Sequence, residues 1–240
     1  MIPTPELKKL KAFHNKKDLK KSMVAEVLKH QKQDQIVQGT YGKENGQWKG
    51  CAVACSVRSL AVCNGEALKT SYNDHSRYQT DLGVPEALAH LEDYLFEAMP
   101  TDKAKLWPAE FIKAINVGSN LSLVSPKFIS ATLRDLLSVK EVKDDKEVSK
   151  QVLHIAKMWD AVVNGRPPKA AAESAAWSAA ESAAWSAAES AAWSAARSAA
   201  WSAARSAAES AARSAAWSAA WSAAAYKMSR RLLKIIKATK

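Results

Sequence analysis

Apolar residues between 85 and 165 recur at the three- and four-residue steps of an α-helix, not at the two-residue step of a strand. In "PEALAHLEDYLFEAM", Leu88, Leu91, Leu95 and Met99 fall on one face, and Pro85 with Glu86 in the first turn suits a helix start. The pattern predicts a helix from Pro85 to a stop at Pro100. A short helix, "PAEFIKAI", follows Trp107 and ends before Gly118. Another begins at about Pro126, with Ser125 as N-cap and Phe128, Leu133 and Leu136 or Leu137 facing inward. The next covers "DDKEVSKQVLHIAKMWDAVVNG", with Val148, Val152, Ile155, Met158, Trp159 and Val162 apolar and Gly165 as its stop. His154 lies near that stripe and reads as structural. Upstream, residues 18–33 predict a helix capped by Asp18, with Leu19, Met23, Val27 and His30 sharing a face. The apolar run 51–63, "CAVACSVRSLAVC", leaves helix and strand both open.

Two polar stretches interrupt this pattern. Residues 38–50 hold Gly39, Gly42, Gly46 and Gly50, half of the eight glycines in the chain, with Tyr41 and Trp48 among them. The stretch is neither a P-loop nor a dinucleotide fingerprint, because the Gly-Lys-Ser/Thr ending and a preceding strand are both missing. Residues 64–84 read as a long loop in which Asp74, His75, Arg77 and Tyr78 crowd together. Long loops in compact domains are often functional.

Beyond Arg166-Pro167-Pro168 the pattern changes again. From Ser174 to Ala225 the unit Ser-Ala-Ala-x repeats thirteen times, with Trp, Glu or Arg at x until the last unit. Ala, Glu and Arg all favour helix. A four-residue step overshoots one helical turn by about 40°. Trp177, Trp185, Trp193, Trp201, Trp217 and Trp221 therefore wind around the rod and predict neighbours on several sides. The expected class is all-α or mostly α. A helical bundle with irregular Gly-rich loops occupies residues 1–168, and a helical tail, folded back or shared between subunits of a homo-oligomer, occupies 169–240.

Charge adds one feature. Of the net +11, residues 1–21 carry +5 and residues 226–240 carry +6, so the middle of the chain is neutral. Basic ends leave nucleic acid, an anionic surface or an acidic protein open as partners, with solvated termini as the plainer reading. No run of 18 apolar residues occurs, so no membrane span is expected. The start has no apolar central region of a secretory signal, which makes a cytoplasmic location the expectation. Three cysteines, an odd number, argue against a disulfide framework.

The candidate chemistry lies in the two polar stretches and the cysteines between them. Cys51 at a helix N-terminus would be reactive, with Cys55 and His75 as further catalytic candidates; buried inert thiols are the alternative. The cysteine spacing matches no common zinc pattern, so no metal is expected, and no motif asks for a cofactor. Asp93 and Glu97 could act as paired carboxylates at i, i+4, against the reading of a solvated helix face.

The runs "GCAVAC" (50–55), "HSRY" (75–78), "LGVPEALAHLED" (82–93), "FE" (96–97) and "WP" (107–108) resemble an uncharacterised family of bacterial and phage proteins. That family carries a Gly-Cys-Ala-Val-Gly-Cys core and often an alanine-rich tail; Ala54 stands here in place of its second glycine. The resemblance implies no mechanism, but it groups Gly50, Cys51, Cys55, His75, Tyr78 and Trp107. With Tyr41 and Trp48 to stack on a ring and Arg77 to hold a negative group, these residues predict a pocket for a small anionic ligand. The expected function is a non-enzymatic binding protein, in its sharpest form one that sequesters a nucleotide-like signal in a phage or defence setting. Two alternatives stand beside it: a structural protein assembled through the tail, and an enzyme using Cys51 or Cys55 with His75.

Overall fold

The helical periodicity of the sequence appears in space as helices joined by short irregular segments. The computed structural model describes residues 5–69, 71–166 and 211–240. Most of the Ser-Ala-Ala-x tract, including Trp177, Trp185, Trp193 and Trp201, lies outside the described residues. The class is all-α. The helices are α1 (Pro5–Lys9), α2 (Lys17–Lys32), α3 (Ala52–Cys63), α4 (Arg77–Leu82), α5 (Glu86–Ala98), α6 (Thr101–Ala104), α7 (Trp107–Ala114), α8 (Val124–Leu136), α9 (Lys140–Asp144), α10 (Lys146–Val163) and α11 (Ala211–Ala238). One antiparallel hairpin, β1 (Lys43–Asn45) with β2 (Gln47–Lys49), breaks the pattern; Glu44 pairs with Trp48 across it. Among the described residues no helix is long and apolar enough to cross a membrane.

The described residues divide into two compact units, 5–124 with Ala225–Lys240, and 125–166 with 211–224. In the first unit α2, α3, α5 and α7 pack around Met23, Val27, Leu60, Leu88, Leu95 and Ile112, all buried. The open helix-or-strand question at 51–63 resolves as helix α3. Its small side chains let neighbours close in: Ala52, Val53, Ala54, Cys55 and Ser56 are all buried. The end of the chain belongs to this core. Leu232, Leu233 and Ile236 are buried, Arg230 pairs with Glu110 at 2.7 Å, and the Asn116 amide donates to the Thr239 carbonyl at 2.9 Å. A basic stretch that reads as a solvated tail is thus an amphipathic helix with its apolar side packed.

The second unit contains α9, α10 and all of α8 beyond its first residue. Leu133, Leu136, Val142, Val152, Ala156, Trp159 and Val162 form its core. Asp145 caps α10 by accepting from the Glu147 and Val148 amides. Ser130 donates to Asp160 at 2.5 Å, and Arg134 pairs with the same carboxylate.

Several local expectations need correction. Lys16, not Asp18, is the N-cap of α2, and Ser125 lies inside α8 rather than capping it. Val148, assigned to the apolar side of α10, is exposed, and so is His154. The loop 64–84 closes with helix α4, along which Arg77 and Asp81 make an i, i+4 ion pair. Gly83 ends α4 at φ 63°, and a Cβ there would stand 2.2 Å from the Lys11 carbonyl oxygen. That close approach requires glycine.

Candidate functional site

Helix α5 carries the site because one of its faces is polar where a packed helix is normally apolar. Glu86, His90, Asp93 and Glu97 follow at steps of four, three and four, so they form one stripe along the helix. Three irregular segments bring polar groups to this stripe: the glycine loop before the hairpin, the N-terminus of α3, and the segment before α4.

Asp93 is the centre. It is only 7% exposed. Its Oδ2 accepts from the Tyr41 hydroxyl at 2.7 Å and faces His75 Nε2 at 3.2 Å. His75 Nδ1 faces the Asn73 carbonyl oxygen at 3.0 Å. Both ring nitrogens therefore look at acceptors, which is the arrangement of an imidazolium. The hydrogen bond to Asp93 raises the His75 pKa above its ordinary value, against the opposing effect of burial. Asp93 is held below the usual carboxylate range: burial pushes it up, and its bonds to His75 and Tyr41, with the Cys51 thiol nearby, outweigh that. The His75 ring lies flat on His90, with centroids 4.1 Å apart and planes 8° from parallel. Its edge meets Tyr41 at 5.9 Å. His90 in turn lies 3.5 Å from Glu86.

Cys51 closes the inner side. It is the N-cap of α3, where its Sγ accepts from the Ala54 amide at 3.5 Å. The Cys51 Sγ, an oxygen of Asp93 and an oxygen of Glu97 all lie within 4.8 Å of one another. A helix N-terminus normally favours a thiolate. Here burial, followed by the Asp93 charge, pushes the thiol up instead, which favours the protonated form. Cys55 is buried, donates to the Gly50 carbonyl at 3.4 Å and is likewise pushed up by burial. Glu97 sits at the exposed end of the stripe, where its Oε2 accepts from the Gly39 amide at 2.8 Å. Burial raises its pKa against that bond.

The other residues grouped by sequence fall elsewhere. Trp48 is buried against His30, Tyr72 and the Arg58 guanidinium, so its ring is spoken for. Gly50 exists for that ring: a Cβ there would lie 2.7 Å from Trp48 and 2.8 Å from Ala54. Arg77 is held by Glu66 through two bonds, 2.5 and 3.0 Å, and by Asp81. Tyr78 is fully buried and donates to Glu92 Oε2 at 2.6 Å. Trp107, also buried, donates from Nε1 to the Glu92 carbonyl at 3.0 Å. Tyr41, 40% exposed, is thus the one expected aromatic that reaches the stripe.

Sequence reasoning raised Asp93 and Glu97 as paired carboxylates but left them, and His90, out of the ligand pocket. Their signal was present as the i, i+4 acids of α5, which look like a solvated face until Tyr41, Cys51 and His75 cover it. Glu92 gave no signal: it follows Leu91 directly, is wholly buried, and is pushed well above the ordinary carboxyl range by desolvation. Comparison with family models, with curated proteins and with solved structures returns no match, so the arrangement is read from its own geometry.

Proposed function

We propose that the protein is a non-enzymatic small-ligand-binding protein whose ligand meets the stripe at Tyr41, His75, Asp93 and Glu97. One observation carries this reading. Asp93 is nearly buried, one of its oxygens is held by two donors, and its Oδ1 has no hydrogen-bond partner among the described residues. Buried polar atoms are almost always paired, so a spare acceptor beside a partly open edge is a capacity for recognition. A nucleophilic enzyme fits less well, because such chemistry needs a thiolate beside a base and burial keeps both thiols protonated.

The nucleotide-like anion expected from sequence keeps one cationic contact in this reading, His75. Arg77 is consumed by Glu66 and Asp81, and the carboxylates of α5 repel an anion unless a cation lies between them. A sequestering role in a phage or defence setting belongs to the same reading and rests on the family resemblance. The test is calorimetry of the full chain with a nucleotide panel, repeated on His75→Ala. Heat of binding lost in the variant supports the reading; no heat with any member of the panel refutes its anionic form.

The Ser-Ala-Ala-x tract belongs to this proposal as an assembly element. Sedimentation of the full chain tests it, with a single monomeric mass as the contrary result. Truncation at Pro168 is the wrong comparison, since it also removes Leu232, Leu233 and Ile236 from the core of the first unit.

A further inference from the structure

We propose that Cys51, Asp93 and Glu97 bind a thiophilic divalent cation of the zinc class. This inference rests on the ligand-binding reading and deepens it by naming what the site takes first.

The geometry comes from rigid elements. Cys51 is fixed at the N-cap of α3, and Asp93 and Glu97 stand one turn apart on α5. Ligand atoms on one helix at i, i+4 suit a shared ion. The three donor atoms lie within 4.8 Å of one another. Around a tetrahedral zinc with bonds of about 2.0–2.3 Å, donors stand roughly 3.3–3.8 Å apart. Closing the difference needs about 1 Å of side-chain adjustment, and Glu97, the exposed member, can supply it by rotation.

Proximity of acids alone would mean little. The independent observation is Asp93 itself: 7% exposed, with an Oδ1 that has no hydrogen-bond partner among the described residues. Its other oxygen is pinned by Tyr41 and His75. Metal-ligating carboxylates are oriented in this way, by outer hydrogen bonds that leave one oxygen for the ion. The thiol sets the metal class. Sulfur ligands select zinc-like ions over magnesium and calcium, which take oxygen ligands. A bound cation takes the place of the thiol proton, so the protonated state of Cys51 without metal is no obstacle. Glu97 leaves the fourth position on the solvent side, where water or an anionic ligand completes the shell. A cation there also removes the difficulty of an anion meeting two carboxylates. The cysteine spacing in the sequence hides such a site, because the two acids come from a helix some 40 residues after Cys51.

The experiment uses the full chain, stripped with a chelator, reduced, and titrated with Co2+ alone. The expected result is a thiolate-to-cobalt charge-transfer band in the near ultraviolet that Zn2+ abolishes. Cys51→Ser removes the band, and Ser is a good N-cap, so α3 keeps its start. Glu97→Gln, on the exposed rim and without consequence for the core, weakens Co2+ binding at least tenfold. Cys55→Ser and Cys63→Ser leave the band in place. Absence of a band in the unaltered chain overturns the inference, as does a band that survives Cys51→Ser. If Co2+ fails while a nucleotide still binds in a His75-dependent way, the metal inference falls and the ligand reading stands. If neither binds, both fall.

Discussion

Glu92 and Asp93 are adjacent on α5, about 100° apart around the helix, and the two regions they face treat a carboxyl group in opposite ways. Glu92 enters a closed region with Tyr78 and Trp107, all fully or almost fully buried. Among the described residues its side chain has one bond, from Tyr78, its Oε1 has no partner, and desolvation pushes its pKa well up, toward the neutral acid. Asp93 enters a region with an open edge. Two donors and a nearby thiol hold it ionised, although it too is largely desolvated. Burial alone therefore does not decide the charge of a carboxyl group; the number of donors aimed at it does. The same backbone segment thus supplies a neutral strut to the core and a charged acceptor to the site.

The closed region is the one the fold depends on, so the largest effect follows from opening it. Trp107→Ala removes a buried indole and its bond to the Glu92 carbonyl, and costs about 3–5 kcal/mol in urea denaturation. Tyr78→Phe takes the donor from Glu92 and costs about 1–3 kcal/mol by the same measurement. Glu92→Gln is smaller and opposite in sign. The raised folded pKa means that the folded state keeps a proton which the unfolded chain releases above about pH 4.3. Stability from this group is full below that pH and declines as pH rises. Glutamine cannot ionise, so the variant gains on the parent as pH goes from about 4 to 8, read from denaturation midpoints at several pH values. Asp93→Asn takes a charged acceptor from two hydrogen bonds, costs about 1.5–3 kcal/mol, and changes the site most. Without the carboxylate, His75 loses the cause of its raised pKa, and its imidazole titration in proton NMR moves down.

Much of the frame was legible in the sequence. Leu88, Leu91, Leu95 and Met99 mark α5 by spacing alone, and Gly165 ends α10 as capping rules require. The glycine loop, Cys51, His75 and Tyr41 were also visible, because their residue types are unusual between apolar helices. What periodicity could not supply was pairing across the chain. Nothing in the local sequence says that Trp48 turns inward onto His30, or that Arg77 spends its guanidinium on Glu66. Asp93 and Glu97 look like ordinary surface acids until three distant segments fold over them. The C-terminal basic stretch misled for a related reason: six lysines and arginines with no acid stand out in its composition, while Leu232, Leu233 and Ile236 decide its packing.

The contrast between the two carboxyl groups is tested most directly by side-chain carboxyl carbon NMR of the metal-free full chain across a pH titration. The account predicts that near pH 7 Asp93 shows the shift of an ionised carboxylate and Glu92 that of a neutral acid, with Asp93 titrating below about 3.9 and Glu92 far above about 4.3. Two ionised groups at neutral pH, or two groups titrating together near their ordinary values, would contradict it.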